Sequence, residues 1–183
     1  MALLDYAATR PQRPSGKGSL TFLSYRRFWT IAVLVLACDQ ASKGWIATHL
    51  AYPTFGPADG GITVIPGFFY VIHVGNTGAA WSMFTGRSAI LAVLAAAALV
   101  AIYLGRRALA LREKWSQLCF GLLCGGIAGN LADRLIHGHV VDFIDLHFGS
   151  FQYPTFNVAD SSICVGVALY LARSLFHRPQ AQA

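Results

Sequence analysis

Asp142 and Asp160 are the residues of this 183-residue chain best placed to do chemistry. Each follows apolar residues at the end of a segment that is otherwise hydrophobic enough to lie in a bilayer. Asn157 falls three residues before Asp160, on the same face if that segment is helical. An ionisable group in such a place is costly, so it is a functional residue by default. Two carboxylates brought together at low dielectric cannot both ionise; one pKa rises and the pair holds a shared proton at neutral pH. That state can deprotonate a water while protonating a carbonyl oxygen, which is the chemistry of an aspartic peptidase. Taken alone, either aspartate reads better as a buried structural carboxylate satisfied by backbone amides, so the chemistry requires the pair.

Other polar groups cluster around the same apolar segments. Asp39 and Lys43 are spaced i,i+4 and share a helical face, either as a structural ion pair near the outer interface or as support for the site. Gly125, Gly126 and Gly129 permit close helix approach. Asn130, Asp133 and Arg134 follow on the next turn, and because Asp133 and Arg134 are adjacent, at least one must reach another element. His137, His139, Asp142, Asp145 and His147 do not form HExxH, and no two histidines lie one helical turn apart. Interfacial histidines are therefore the better account, and no metal is expected. Cys38, Cys119, Cys124 and Cys164 all fall in apolar windows and read as packing residues.

The elements that must position these groups follow from composition. The chain is 55% hydrophobic and 12% charged, with a mean hydropathy of +0.51, which leaves too little charge to cover a soluble surface. Four windows, about 28–48, 88–105, 115–135 and 156–176, have the length a bilayer core of roughly 30 Å requires. The fold class expected is an all-α membrane protein with four transmembrane helices, a small extracytoplasmic β-sheet and an interfacial loop or short helix. The sheet is expected within 61–84, as two or three short strands broken by Pro66-Gly67 and by the turn signals between Gly75 and Gly78. Segment 136–155 is too polar to span and is expected at the interface as the loop or short helix, anchored by Phe148, Phe151 and Tyr153. Val35-Leu36-Ala37-Cys38 has the look of a lipoprotein cleavage box, but three more spans follow, so the first helix is read as retained.

A net charge of +6 and a pI near 9.4 would suggest nucleic acid in a soluble protein, but the basic residues here sit in particular loops. The N-terminal region, the connection between the second and third windows, and the C-terminal end hold 11 of the 14 lysines and arginines. Positive-inside bias puts these segments in the cytoplasm and the loops 49–87 and 136–155 outside, so the carboxylates face outward. Residues 1–24 and 177–183 are expected to be cytoplasmic tails, the first one mobile, around a membrane domain over 25–176.

Asp39-Gln-Ala-Ser-Lys43, Asn76-Thr-Gly78-Ala-Ala-Trp81, Gly125 to Arg134, Gly138 to Asp145 and Phe156-Asn157-Val-Ala-Asp160 together resemble the bacterial lipoprotein signal peptidase family, signal peptidase II. They stand in that family's order over about residues 25–176. The resemblance implies an inner-membrane aspartyl peptidase that removes signal peptides from prolipoproteins whose cysteine carries diacylglycerol. It implies Asp142 and Asp160 as the catalytic dyad, with Asp39, Lys43, Asn76, Gly78, Asn130, Asp133, Arg134 and Asn157 binding substrate or supporting the dyad. It further implies no cofactor, no nucleic-acid partner, contact with membrane lipid, and inhibition by the cyclic peptide globomycin. Trp81 stands where phenylalanine is usual, and Tyr153 replaces a phenylalanine before Pro154; both changes keep an aromatic ring.

A rival reading is a small proton- or cation-coupled transporter that uses the carboxylates as a relay. Against it, the acidic residues gather toward one face and leave the cytoplasmic half of the spans uncharged. The charge asymmetry predicts that, in a cysteine-free background, an impermeant thiol reagent added from outside labels a cysteine introduced at Gly149 and misses one at Ala110. The reverse pattern would invert the topology.

Overall fold

The computed structural model describes residues 25–79 and 83–176, so the expected tails and Trp81 lie outside the described residues. Four helices carry the fold: α1 (Arg26–His49), α2 (Ser88–Leu104), α3 (Lys114–His137) and α4 (Val158–Phe176). Helix α3 is the central post, with eleven buried residues against the single buried Ala92 of α2. It packs along α1 on one side and α4 on the other, while α2 rests mainly on α3, with Leu99 and Ile102 also packed on the cluster around Phe28, and with Ile90, Val93, Leu94 and Val100 facing out. A helix apolar on all sides, with one face covered and the rest exposed, suits lipid rather than water.

Among the described residues, three helices are long and apolar enough to cross a membrane, those at Ser88–Arg107, Lys114–His137 and Val158–Phe176. Helix α1 is as long as α3 but is not among them, which differs from the expectation of four spans. The physical reason lies in its second half, where Asp39, Gln40, Ser42 and Lys43 interrupt the apolar run. Asp39 and Lys43 are both buried against α3, so their polarity faces inward, while Val33, Leu34 and Trp45 face out.

Small residues set the helix spacing. A Cβ on Gly125 would stand 2.7 Å from the Ala32 carbonyl of α1, and one on Gly129 would run into the Asp39 carboxylate. Close packing of α1 and α3 is therefore built into the face on which the polar groups stand.

The sheet is a four-stranded antiparallel meander, β1 (Ile62–Ile65), β2 (Phe69–Asn76), β3 (Val140–Phe148) and β4 (Phe151–Gln152), in that spatial order. Within 61–84 the described residues give two strands, joined by the Pro66-Gly67 turn. Segment 136–155 is not a loop or short helix. It supplies β3 and β4, because Val140, Val141, Ile144 and Leu146 pair with β2 from Asn76 back to Phe69, and that pairing outweighs the polar, histidine-rich composition. Val141 and Phe143 bury against Ile46 and Leu50 at the end of α1, which docks the sheet on the end of the bundle away from the basic loops. Burying each such side chain is worth about 1.5–3 kcal/mol, enough to fix the sheet's seat.

Cys119 and Cys124 are buried as packing residues, whereas Cys38 and Cys164 are exposed; all four are free thiols. Gly129→Ala should destabilise the protein by about 1–3 kcal/mol through overpacking against Asp39. Gly44→Ala, on α1 with open space around it, should be neutral or slightly stabilising. Chemical unfolding of both variants in one detergent checks the contrast, and equal effects would contradict this packing.

Candidate active site

The site starts from the way α4 begins. Asn157 immediately precedes the helix, and its Oδ1 accepts the Asp160 backbone N–H at 2.9 Å while the Asn157 N–H reaches back to Asp160 Oδ2 at 3.3 Å. This reciprocal arrangement is a capping box built from asparagine and aspartate, and it holds both side chains where the chain enters α4. The Asn157 Nδ2 then donates to Asp142 Oδ1 at 2.7 Å and to Asn130 Oδ1 at 3.2 Å. Asn130, from α3, donates its own Nδ2 to Asp160 Oδ1 at 2.7 Å. Two asparagines thus bridge the two carboxylates.

Sheet register delivers Asp142. It pairs with Val74 on β2, so Asn76, two residues on and on the same face, lies diagonally across from it. Asn76 Nδ2 donates to Asp142 Oδ2 at 2.9 Å, and Asn76 Oδ1 accepts the Gly78 N–H at 2.8 Å. The Gly78 carbonyl accepts Arg134 Nη2 at 2.9 Å, and Arg134 Nη1 reaches the Asn130 carbonyl at 3.3 Å. Asp133 and Arg134 both reach other elements, on diverging sides of α3.

Beneath this layer lies a charged one. Lys43 Nζ stands 2.8 Å from Asp39 Oδ2 and 2.9 Å from Asp133 Oδ2, and donates to Asn130 Oδ1 at 3.0 Å. Asp39 Oδ1 accepts the Ala159 N–H of α4 at 2.9 Å, and Asp133 Oδ2 accepts the Val141 N–H of β3 at 3.1 Å. The Asp39–Lys43 pair is therefore both a buried ion pair and a support for the groups above it. Gln40 was not picked out from the sequence, yet its Nε2 bonds Asp133 at 2.9 Å, Asp39 at 3.2 Å and the Gly129 carbonyl at 3.3 Å. Its position between Asp39 and Lys43 was the available signal.

Asp142, Asp160, Asn76, Gly78, Asn130 and Arg134 line a cavity of about 380 Å³. The segment from Tyr153 to Phe156 and Ile163 and Cys164 of α4 complete the lining, so the polar groups share the cavity with apolar ones. Asp145 belongs elsewhere: it is buried, accepts Gln152 Nε2 at 2.9 Å, and lies 2.8 Å from His147 Nε2, an arrangement that ties β3 to β4. Among the described residues, no group of three or more His, Cys, Asp or Glu side chains is placed to hold a metal ion.

Burial pushes the Asp142 carboxyl up to about 7; the negative charge of Asp160 adds to this, while the Asn76 and Asn157 hydrogen bonds and the Lys43 charge pull it back. A carboxyl that is half protonated near neutrality beside a second carboxylate can give and take protons at the same pH. Asn76 donates to the ionised form, so Asn76→Ala should raise the Asp142 pKa further, by about one unit. Carboxyl infrared difference spectra taken across a pH titration read this directly; a midpoint that falls or stays fixed would contradict the sign.

The model of the signal peptidase (SPase) II family matches residues 31–176. A lipoprotein signal peptidase of Staphylococcus carnosus is 40% identical over 158 residues, spanning 85% of this chain and 92% of that protein. One from Yersinia enterocolitica is 36% identical over 150 residues, spanning 79% and 84%. A solved bacterial membrane enzyme superposes with a TM-score of 0.73 at 31% identity, covering 85% of this chain and 93% of its own.

Proposed function

Given that the chain belongs to the signal peptidase II family, which cleaves signal peptides from prolipoproteins, we propose that Asp142 and Asp160 are the dyad that performs the cleavage. The observation that carries the assignment is the pair of asparagine bridges joining two carboxylates across the floor of one cavity. The two carboxyls hold one proton between them. The ionised one takes a proton from a water, whose oxygen attacks the carbonyl carbon of the bond preceding the lipid-modified cysteine. The protonated one gives its proton to the carbonyl oxygen, forming a tetrahedral diol. Collapse of the diol returns a proton to the departing cysteine nitrogen and leaves the signal peptide with a new carboxyl terminus. Asn157 and Asn130 orient the dyad, Asn76 and Gly78 shape its rim, and Arg134 contacts polar parts of the substrate. Asp39, Lys43 and Asp133 hold the floor on which these groups stand. The reaction as written needs neither a metal nor a cofactor.

Helix α1 acts as the fourth span in this reading. Its inward charges are neutralised within the bundle, and its length of about 36 Å suffices. The protein then crosses the bacterial inner membrane with both termini in the cytoplasm and the sheet outside, and residues 25–176 form the peptidase domain. The substrate enters sideways from lipid through the apolar side of the cavity. Each acyl CH₂ kept in the bilayer is worth about 0.8 kcal/mol, so the diacylglyceryl group fixes the depth of the cysteine and with it the bond presented to the dyad.

A cleavage assay with the purified full chain, using a precursor with and without diacylglyceryl-cysteine, tests this reading. The lipidated form should be cut directly before the cysteine, and the unmodified form poorly or not at all. Asp142→Asn and Asp160→Asn should each slow cleavage by about 10²–10⁴-fold while remaining inserted and folded, and Asp145→Asn should keep most activity. Globomycin should block the wild-type reaction. Near-normal turnover in either dyad variant, or equal rates on both substrates, would overturn the assignment.

A further inference from the structure

The end of the bundle opposite the sheet carries a second recess, of about 760 Å³, formed where α1 starts, α3 starts and α4 approaches its end. Arg27, Arg112, Lys114 and Arg173 converge on it from these different stretches of chain, opposed by one carboxylate, Glu113. Arg173 is taken up by Glu113 at 3.3 Å and sits 5.9 Å from the centre of the Trp115 ring. The side chains of Arg27, Arg112 and Lys114 have no hydrogen-bond or ion-pair partner among the described residues. Ile31 of α1 and Leu118 of α3, both half-buried, give the recess an apolar side.

Charge bias toward one membrane face accounts for basic residues at this end, but not for their gathering around a hollow. A second observation points to a ligand. Trp115 lines the recess, and its indole Nε1 is buried with no hydrogen-bond acceptor among the described residues; a buried donor of this kind calls for one. Three unpaired cations, an idle donor and an apolar side at a helix end together fit one chemistry: a phosphodiester headgroup whose acyl chains lie along the helices.

We propose that this recess is a binding site for an anionic glycerophospholipid of the surrounding leaflet, separate from the peptidase cavity. The phosphate sits among Arg27, Arg112 and Lys114 and accepts the Trp115 N–H, and the acyl chains follow Ile31 and Leu118 into the bilayer. The site lies near the first turn of α3, whereas Asn130 and Asp133 lie near its last two turns. The two sites are thus roughly 25–30 Å apart along the helix, and one can be altered without touching the other.

Native mass spectrometry of the detergent-solubilised full chain, titrated with phosphatidylglycerol or phosphatidylcholine of matched acyl chains, tests the proposal. Phosphatidylglycerol should bind selectively. Each basic side chain contributes about 1 kcal/mol, or roughly fivefold, so Arg27→Gln, Arg112→Gln and Lys114→Gln combined should weaken it by about a hundredfold. Arg106→Gln with Arg107→Gln, which removes two charges at the same end but outside the recess, should change it by less than about threefold. Glu113→Gln should tighten binding by about fivefold, a gain that damage to the fold cannot produce. Equal binding of the two lipids, wild-type affinity in the triple variant, or no gain with Glu113→Gln would overturn the proposal. Displacement of the lipid by excess free glycerol phosphate would also overturn it, by making this a site for a soluble phosphate.

Discussion

The ammonium of Lys43, held between the carboxylates of Asp39 and Asp133 in the interior of the bundle, is the interaction on which the rest of the architecture depends. Three elements meet at it directly or through one bond: Asp39 receives the α4 backbone at Ala159, Asp133 receives β3 at Val141, and Lys43 itself bonds Asn130 of α3. Removing any partner would strand an uncompensated charge at low dielectric, which costs about 3–5 kcal/mol, far more than the intact set adds to stability. The cluster is thus better understood as a device for specificity than as a source of strength. It penalises every arrangement in which α1, α3, α4 and β3 are not in register.

That register is what the proposed reaction requires. Asp142 arrives on a strand and Asp160 on a helix, and neither is close to the other in sequence. What joins them is the pair Asn130 and Asn157, amides that donate to one carboxylate while accepting from another group. Amides carry no net charge, so they can orient two acids without neutralising either. The cation that does carry charge is kept one layer below, where it stabilises the floor without forming an ion pair with the dyad.

The protein places its polar groups inside and its apolar groups outside. Exposed valines, leucines and aromatics cover α2 and the outer faces of α1 and α4, while the least accessible residues include Asp39, Asp133, Asp142 and Asn157. In lipid this inversion is favourable only if every buried polar group finds a partner, and the two polar layers meet that demand almost completely. The Arg134 Nε is an exception at the cavity, a buried donor without an acceptor among the described residues.

Much of this was legible in the chain alone. Apolar windows, charge asymmetry and the positions of the carboxylates depend on local composition, and local composition is what decides whether a segment suits lipid. The candidate residues stand out in the chain because polar residues are rare in such apolar surroundings. The secondary structure of 136–155 could not be read this way, since β3 exists only through pairing with β2, some seventy residues earlier. Nor could the place of Gln40, whose three bonds form only when α3 packs against α1 through Gly129. The sequence by itself determined which groups are too costly to bury without a purpose. Tertiary structure decided which of them meet, because distance between residues remote in the chain is set by packing, and packing is a property of the whole bundle.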